Sequence, residues 1–78
     1  MTYTYQVEYQ DQDDGYRVNV KPYGHRKTAA ISAARRASNK HMVAYAVACR
    51  KQPDGGEVTV GHKSFGEGLV IETEGEGF

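Results

Sequence analysis

Apolar and polar side chains alternate along the first residues of the chain. Tyr3, Tyr5, Val7 and Tyr9 occupy every second position, and Thr, Gln and Glu residues stand between them. A period of two is typical of a β-strand that buries one face, because successive side chains of a strand point to opposite sides. The pattern therefore predicts a first strand that carries its tyrosines on one face.

A second alternating stretch follows and completes a predicted hairpin. Residues 11–15 are rich in Asp and end in Gly15, a composition typical of turns. Apolar and polar residues then alternate again over residues 16–21. Pro22 lacks a backbone donor, so we expect it to end the second strand, and Gly24 allows the chain to turn toward a helix.

Residues 27–39 form the segment with the strongest helix preference, since they are rich in alanine and contain neither Gly nor Pro. Ala30, Ala34 and Ala37 share one face at helical spacing, which permits close approach to a sheet. An alanine stripe buries little apolar area, so large sheet residues are needed beneath it. We therefore expect most of the six tyrosines to lie in the core under this helix. The alternative is a tyrosine-rich sheet face that stays open as an interface.

The rest of the chain predicts three more strands. Residues 42–49 are apolar throughout, which is typical of a central strand that is covered on both faces. A turn containing Pro, Asp and Gly leads to alternation over residues 57–61, and residues 69–73 give a short fifth strand. Residues 62–68 fit either a strand extension or a loop. The predicted fold is α+β, a mostly antiparallel sheet of four to five strands with one helix packed across a face, in the order β-β-α-β-β-β.

The size of the chain fits one domain, which we predict to span residues 1–78 with an acidic end, residues 74–78, that is open to fraying. A domain this small buries only roughly 60% of the surface of its unfolded chain, so oligomerisation would stabilise it. The single cysteine, Cys49, excludes an intramolecular disulfide and favours a reducing, cytoplasmic setting. No apolar stretch approaches the roughly 20 residues of a membrane span, so no membrane partner is expected.

Charge is divided along the sequence, although the formal net charge is zero. All ten Lys and Arg residues lie between Arg17 and Lys63 with only two acidic residues among them, so this segment carries a charge of +8. Residues 1–16 and residues 64–78 each carry four acidic residues and no Lys or Arg. Patches of both signs are typical of proteins that contact other macromolecules.

No spacing in the sequence indicates catalysis, a cofactor or a metal ion. His25, His41, His62 and Cys49 are the classical soft or borderline metal ligands, and none of them has a CxxC, HxxxH or HExxH spacing. Cys49 lies in an apolar strand, which is typical of a buried and inert thiol. We therefore expect a non-enzymatic protein without catalytic, cofactor-binding or metal-binding residues.

The charged ends and the helix are the candidate contact surfaces. If residues 69–76 are extended, three glutamates project from one face about 6.6 Å apart, which is comparable to phosphate spacing along a nucleic-acid strand. Such a ladder would fit the basic groove of a nucleic-acid-binding protein, and the alternative is a solubilising tail that guards an edge strand. The residues predicted to bind a protein partner are Asp11, Asp13, Asp14, Arg35, Arg36, Glu72, Glu74 and Glu76.

Two other functions stay open at this point. The first is a small nucleic-acid-binding module that contacts phosphates through the basic helix, residues 26–40, although a solvated helix face explains these charges equally well. The second is a structural homodimer whose sheets pack face to face. The residues that would contact nucleic acid are Arg26, Lys27, Arg35, Arg36 and Lys40.

In its size, its β-β-α-β-β-β layout and its lack of a catalytic motif, the chain resembles the small phage-encoded inhibitors of bacterial defence, anti-CRISPR proteins among them. The resemblance implies a stoichiometric inhibitor in the cytoplasm of a bacterial host. Such a protein binds a Cas subunit or complex and blocks nucleic-acid access or an activating rearrangement. The resemblance assigns no role to a single residue. Its features are the alanine helix Thr28–Asn39, the strand with Tyr3, Tyr5 and Tyr9, and the acidic end with Glu72, Glu74 and Glu76.

Overall fold

The computed structural model describes residues 2–11, 15, 17–41 and 43–78. Five strands and one helix follow one another in the predicted order, which confirms the α+β layout. The strands form one antiparallel sheet, and the helix packs on one side of it. The elements are β1 (Tyr3–Asp11), β2 (Arg17–Gly24), α1 (Lys27–His41), β3 (Val43–Lys51), β4 (Glu57–Gly66) and β5 (Leu69–Gly75).

The strand order in the sheet is β2-β1-β3-β4-β5, so the apolar strand β3 lies in the middle as predicted. Side chains of β3 are buried on both faces, since Ala46 and Ala48 point toward the helix while Val47 and Cys49 are buried on the opposite side, where Tyr45 alone of the strand's apolar residues is exposed. Strands β2 and β5 form the two edges. Every described neighbouring pair of strands is antiparallel, and β1 connects the first hairpin to the middle of the sheet.

The core lies between α1 and the sheet. Ala30 and Ala34 of the helix are fully buried, which allows the helix to approach the alanines of β3 closely. Large side chains from other strands fill the remaining space, above all Tyr5 and Phe65. This confirms the prediction that the alanine face needs large sheet residues beneath it. The partly buried residues around this core are Tyr3, Tyr9, Tyr23, Ile31, Ala33, Ala37, Val60 and Phe78.

Two strand boundaries differ from the expectations. Pro22 does not end β2, which continues to Gly24. Because β2 is an edge strand, one side of its backbone has no neighbour in the sheet, and a missing donor is tolerated there. The ambiguous segment after residue 61 is a strand extension, since β4 continues to Gly66. This extension makes β4 long enough to pair with the whole of β5.

The turn between β4 and β5 is short and tied to the helix. Glu67 and Gly68 are its only two residues, and both have positive φ angles, 52° and 77°, as a type I′ hairpin turn requires. The Gly68 amide donates a hydrogen bond of 2.8 Å to the Ser38 Oγ, and the Gly68 carbonyl accepts one of 2.8 Å from the Arg35 Nε. The end of α1 therefore holds the β4–β5 hairpin in place.

Residues 75–78 cross from β5 to the helix side of the sheet. Gly75 has a φ of 85°, and a side chain at this position would collide with the backbone of β4. The Tyr5 hydroxyl donates a hydrogen bond of 3.2 Å to the Gly77 carbonyl, and the Phe78 ring meets the Tyr5 ring edge-on at 5.7 Å between centroids. The segment predicted to be open to fraying thus packs against the core in this structure.

Candidate binding surface on the open face of the sheet

The side of the sheet opposite α1 is covered by no other described element, and we call it the open face. Its residues follow from the register, because cross-strand neighbours of an antiparallel sheet point to the same side. One row across the open face consists of Val20, Glu8, Tyr45, Ser64 and Glu72, in the order of the strands. The next row consists of Pro22, Gln6, Val47, His62 and Glu74.

Several large apolar side chains on this face are exposed to solvent, although Val47 and Cys49 are buried. Val20 retains 52% of its accessible surface and Tyr45 retains 40%, whereas Phe65 on the helix side of the same sheet retains 1%. Leu69 pairs with Gly66 at the far edge and is 65% exposed. Val18, Val43 and Tyr45 line one groove together with Glu8, and an exposed apolar patch of this kind on a small protein marks a candidate contact surface. Val18, at 59% exposure, extends the apolar area along β2.

Acidic side chains share the open face with these apolar residues. Glu72 and Glu74 lie on β5, directly opposite Ser64 and His62 of β4. Glu8 lies on β1, in the same row as Glu72. We call these three glutamates, Glu8, Glu72 and Glu74, the open-face acids. They place negative charge on two separate strands beside the exposed apolar side chains.

Basic side chains are concentrated on the opposite side. Lys21 pairs with Val7, Val7 with Ala46, and Ala46 with Lys63. Because Val7 and Ala46 belong to the core under α1, Lys21 and Lys63 also stand on the helix side. Within the described residues, the strand alternation places one Lys or Arg on the open face, Lys51, and it pairs with Glu57. The exposed basic residues of the helix region add to the helix side, namely Arg26, Lys27, Arg35, Arg36 and Lys40.

The charge division seen along the sequence is therefore also a division between the two sides of the sheet. The acidic ends of the chain contribute the open-face acids, and the basic middle of the chain contributes the helix side. Period-two alternation makes this possible, because a strand can direct acidic residues to one side and basic residues to the other.

The predicted ladder of three glutamates is divided by the fold. Glu72 and Glu74 project from the open face, but Glu76 follows the turn at Gly75 and leaves the strand. The Glu76 carboxylate accepts a hydrogen bond of 3.2 Å from the Tyr3 hydroxyl and forms an ion pair of 3.2 Å with Arg50. Partial burial and this carboxylate raise the pKa of Tyr3. Glu76 therefore connects two ends of the chain, and two glutamates remain available on β5.

The two arginines predicted to bind a partner have different surroundings. Arg35 donates to the Gly68 carbonyl and helps hold the β4–β5 hairpin. Arg36 is exposed and lines a shallow groove on the helix side, together with Lys21, Tyr9 and Tyr23. A substitution at Arg35 would therefore disturb the fold as well as the surface charge, whereas a substitution at Arg36 tests the surface alone.

The acidic turn predicted to bind a partner lies largely outside the described residues. Asp13 and Asp14 fall between residue 11 and residue 15 and are not described. Asp11 is the last residue of β1, where its backbone pairs with Arg17. The contribution of these three residues to partner binding stays a prediction.

The cysteine is buried on the open-face side of β3. The Gln6 Nε2 donates a weak hydrogen bond of 3.6 Å to the Cys49 Sγ. Burial raises the pKa of the Cys49 thiol, which disfavours the nucleophilic thiolate at neutral pH. The surroundings of this thiol are therefore those of a packing residue.

The sequence alone did not identify the apolar residues of the open face or the position of His62. His62 lies opposite Glu74, and its ring Nε2 is 3.2 Å from the Glu74 Oε2. The short turn at Glu67 and Gly68 was the available signal. A two-residue turn alone would pair His62 with Thr73. The bulge between Ser64 and Phe65 shifts the register by one residue, and His62 therefore pairs with Glu74.

Comparisons with known proteins provide no relative on which to base a function. No family model matches the chain, and no curated protein or solved structure matches it either. Within the described residues, the single helix α1 lacks the length and the apolar character that crossing a membrane requires. The geometry of the two sides of the sheet is accordingly the basis for the function proposed below.

Proposed function

We propose that this protein is a non-enzymatic protein-binding module that contacts its partner through the open face of the sheet. The observation that carries the proposal is the combination of exposed apolar side chains and acidic side chains on one face. Tyr45 supplies a large exposed ring near the middle of this face. Tyrosine is enriched among the interface residues that contribute most to the binding energy. Glu72 and Glu74 supply charge beside the Tyr45 ring.

The chemistry of this face favours one class of partner. An apolar centre with acidic residues at its side is complementary to an apolar surface with a basic rim. Proteins that hold nucleic acid carry positively charged channels, which are complementary to the acidic part of this face. The most concrete version of the proposal is therefore an inhibitor of a nucleic-acid-handling complex, such as a CRISPR–Cas complex, that occupies such a channel or prevents its activation. The resemblance in size and layout to phage-encoded inhibitors supports this version.

A capture experiment with matched variants tests the binding face. Tagged wild-type protein, Tyr45→Ala and Glu72→Lys are used to capture partners from bacterial lysate, with and without nuclease. Glu57→Lys is the control, because it makes the same charge change on the same face but away from Tyr45. Glu57 begins β4 and pairs with Lys51, whereas Tyr45 pairs with Ser64 near the other end of that strand. We expect a stoichiometric protein partner that survives nuclease treatment, is retained by Glu57→Lys and is lost with the other two variants.

A transformation assay tests the inhibitor version separately. A bacterial strain whose CRISPR–Cas system restricts an incoming plasmid is transformed while it expresses the protein. Inhibition predicts that wild-type protein restores transformation and that Glu72→Lys does not. Restriction that persists in strains with different CRISPR–Cas types would exclude the inhibitor version and leave the general protein-binding proposal to the capture experiment.

Direct nucleic-acid binding is the second candidate function, and one observation favours it. Arg36 and Lys21 line a groove on the helix side that also exposes parts of the Tyr9 and Tyr23 rings, so cations and aromatic rings lie together. Substituting Arg36 and Lys21 by Ala should then weaken binding to an oligonucleotide and reduce its dependence on salt. Oligonucleotide binding that is unchanged in this double variant would exclude the helix side as the contact.

A structural homodimer with sheets packed face to face is the third candidate. It would cover the same apolar residues of the open face, with Tyr45 near the centre of the interface. Light scattering distinguishes this candidate from the others. A monomer at working concentration excludes it, whereas a dimer that Tyr45→Ala dissociates would identify the partner as a second copy of the chain.

A further inference from the structure

Three potential metal ligands meet at one place on the open face. His62 of β4 and Glu72 and Glu74 of β5 each offer one ligand atom, and these atoms lie within 4.8 Å of one another. We propose that His62, Glu72 and Glu74 form a binding site for a divalent transition-metal ion of the zinc type. This inference does not rest on the proposed binding function. It differs from the expectation, drawn from the sequence, that the chain has no metal-binding residues.

The distances are compatible with coordination after small side-chain rotations. Ligand atoms around a tetrahedral zinc ion lie roughly 3.4 Å apart, given bonds of about 2.0–2.2 Å to nitrogen and oxygen. The Glu74 Oε2 is already 3.2 Å from the His62 Nε2. Glu72 and Glu74 are exposed, so neither side chain is locked by packing. The two glutamates are directed to the same side of an edge strand by their spacing of two residues.

The histidine ring is held in an orientation that suits a ligand. Its Nδ1 lies 3.0 Å from the Oγ of Ser64, a residue with 2% exposure. On its other side the ring meets the Tyr45 ring edge-on, at 6.2 Å between centroids. A hydrogen bond at one ring nitrogen fixes which nitrogen faces a metal, as second-shell partners of metal-bound histidines do. The Nε2 is the nitrogen that faces Glu74.

The charge around the cluster also favours a cation. The Glu72 side chain makes no hydrogen bond or ion pair with any residue that the structure describes, and it stands beside a second carboxylate. The basic neighbour in sequence, Lys63, points to the helix side because it pairs with the core residue Ala46. A bound dication would relieve the repulsion between the two carboxylates. One imidazole with two carboxylates favours zinc over magnesium, which prefers oxygen ligands alone.

Calorimetric titration of zinc chloride into tag-free protein tests the site. We expect one zinc ion per chain, and we expect His62→Gln and Glu72→Gln each to lower the affinity at least tenfold. His25→Gln is the control, because His25 is an exposed histidine of the β2–α1 connection that bonds to the Tyr3 carbonyl. This variant loses one imidazole outside the cluster, so its affinity for zinc should equal that of wild-type protein.

Two further measurements keep the test decisive. Circular dichroism establishes that each variant is folded, through a spectrum like that of wild-type protein and a cooperative thermal unfolding transition. Ser64→Ala should weaken zinc binding less than His62→Gln does, because Ser64 positions the ring without touching the metal. The proposal is overturned by wild-type protein that shows no saturable zinc binding, by binding that His62→Gln leaves unchanged, or by magnesium displacing zinc at equal concentration.

Discussion

The two sides of the same sheet differ in what their side chains do. Under α1, the strands contribute alanines, Tyr5 and Phe65 to a closely packed core. On the open face, the same strands present Val20 and Tyr45 to solvent beside acidic residues. Neighbouring positions of one strand, such as Tyr45 and Ala46, therefore lie at the surface and in the core respectively. The comparison teaches that alternation along the strands, together with a helix on one side of the sheet, separates exposed apolar side chains from the core of a small domain.

The largest expected effect is a difference in stability between two variants, each of which loses one aromatic ring from one side of the sheet. Phe65→Ala removes a ring with 1% exposure, so we expect the free energy of unfolding to fall by about 3–5 kcal/mol. Tyr45→Ala removes a ring with 40% exposure, and we expect a loss of about 1 kcal/mol or less together with the loss of partner binding. Urea denaturation of both variants measures the difference. Equal losses of stability would contradict the contrast between a core ring and a surface ring.

The next effect concerns how the helix holds the edge of the sheet. Ser38→Ala leaves the buried Gly68 amide without its acceptor, so the free energy of unfolding should fall by about 1–3 kcal/mol. Ser32→Ala, at a half-buried position of the same helix, is the matched control and should change it little. Hydrogen exchange should also show faster opening of β5 in Ser38→Ala. Unchanged exchange in β5 would mean that the helix does not secure this edge.

A smaller effect is expected where residues 75–78 join the helix side. Glu76→Gln removes the ion pair with Arg50. Both partners are exposed, since the Arg50 side chain retains 40% of its accessible surface and the Glu76 side chain retains 51%. Exposed ion pairs contribute little, so the free energy of unfolding should fall by about 0–1 kcal/mol and the loss should shrink at high salt. Thermal unfolding at low and high ionic strength measures it. A loss that is independent of salt would point instead to the hydrogen bond from Tyr3.

The smallest expected effect is a pH dependence of the free energy of unfolding, and it comes from Cys49, which is buried on the open-face side of β3. Burial raises the pKa of Cys49 above the ordinary thiol value of 9.0. The unfolded state therefore releases this proton first, so stability that is present below pH 9 is lost as the pH rises through the folded-state pKa. Cys49→Ala should lose less stability than wild-type protein over this alkaline range. Parallel pH curves of urea denaturation for the two proteins would show that Cys49 is not responsible.

Much of the fold was predictable from local pattern. Alternation defined β1 and β2, the alanine-rich segment defined α1, and continuous apolar character placed β3 in the middle of the sheet. These features depend on backbone geometry and on burial, which act within a few residues. The strand extension after residue 61 was not resolved in the same way, because Gly61, His62 and Lys63 have no apolar alternation of their own.

The candidate site was only partly predictable. Glu72 and Glu74 were identified as contact residues from their spacing, but Glu76 leaves their face where Gly75 takes a positive φ. The approach of His62 to the two glutamates depends on the pairing of β4 with β5, which joins residues 12 positions apart in sequence. The sequence by itself determined the elements and their apolar faces, since these follow from periods of two and 3.6 residues. The tertiary structure decided which charges share a side of the sheet, because that depends on cross-strand register and on which face α1 covers.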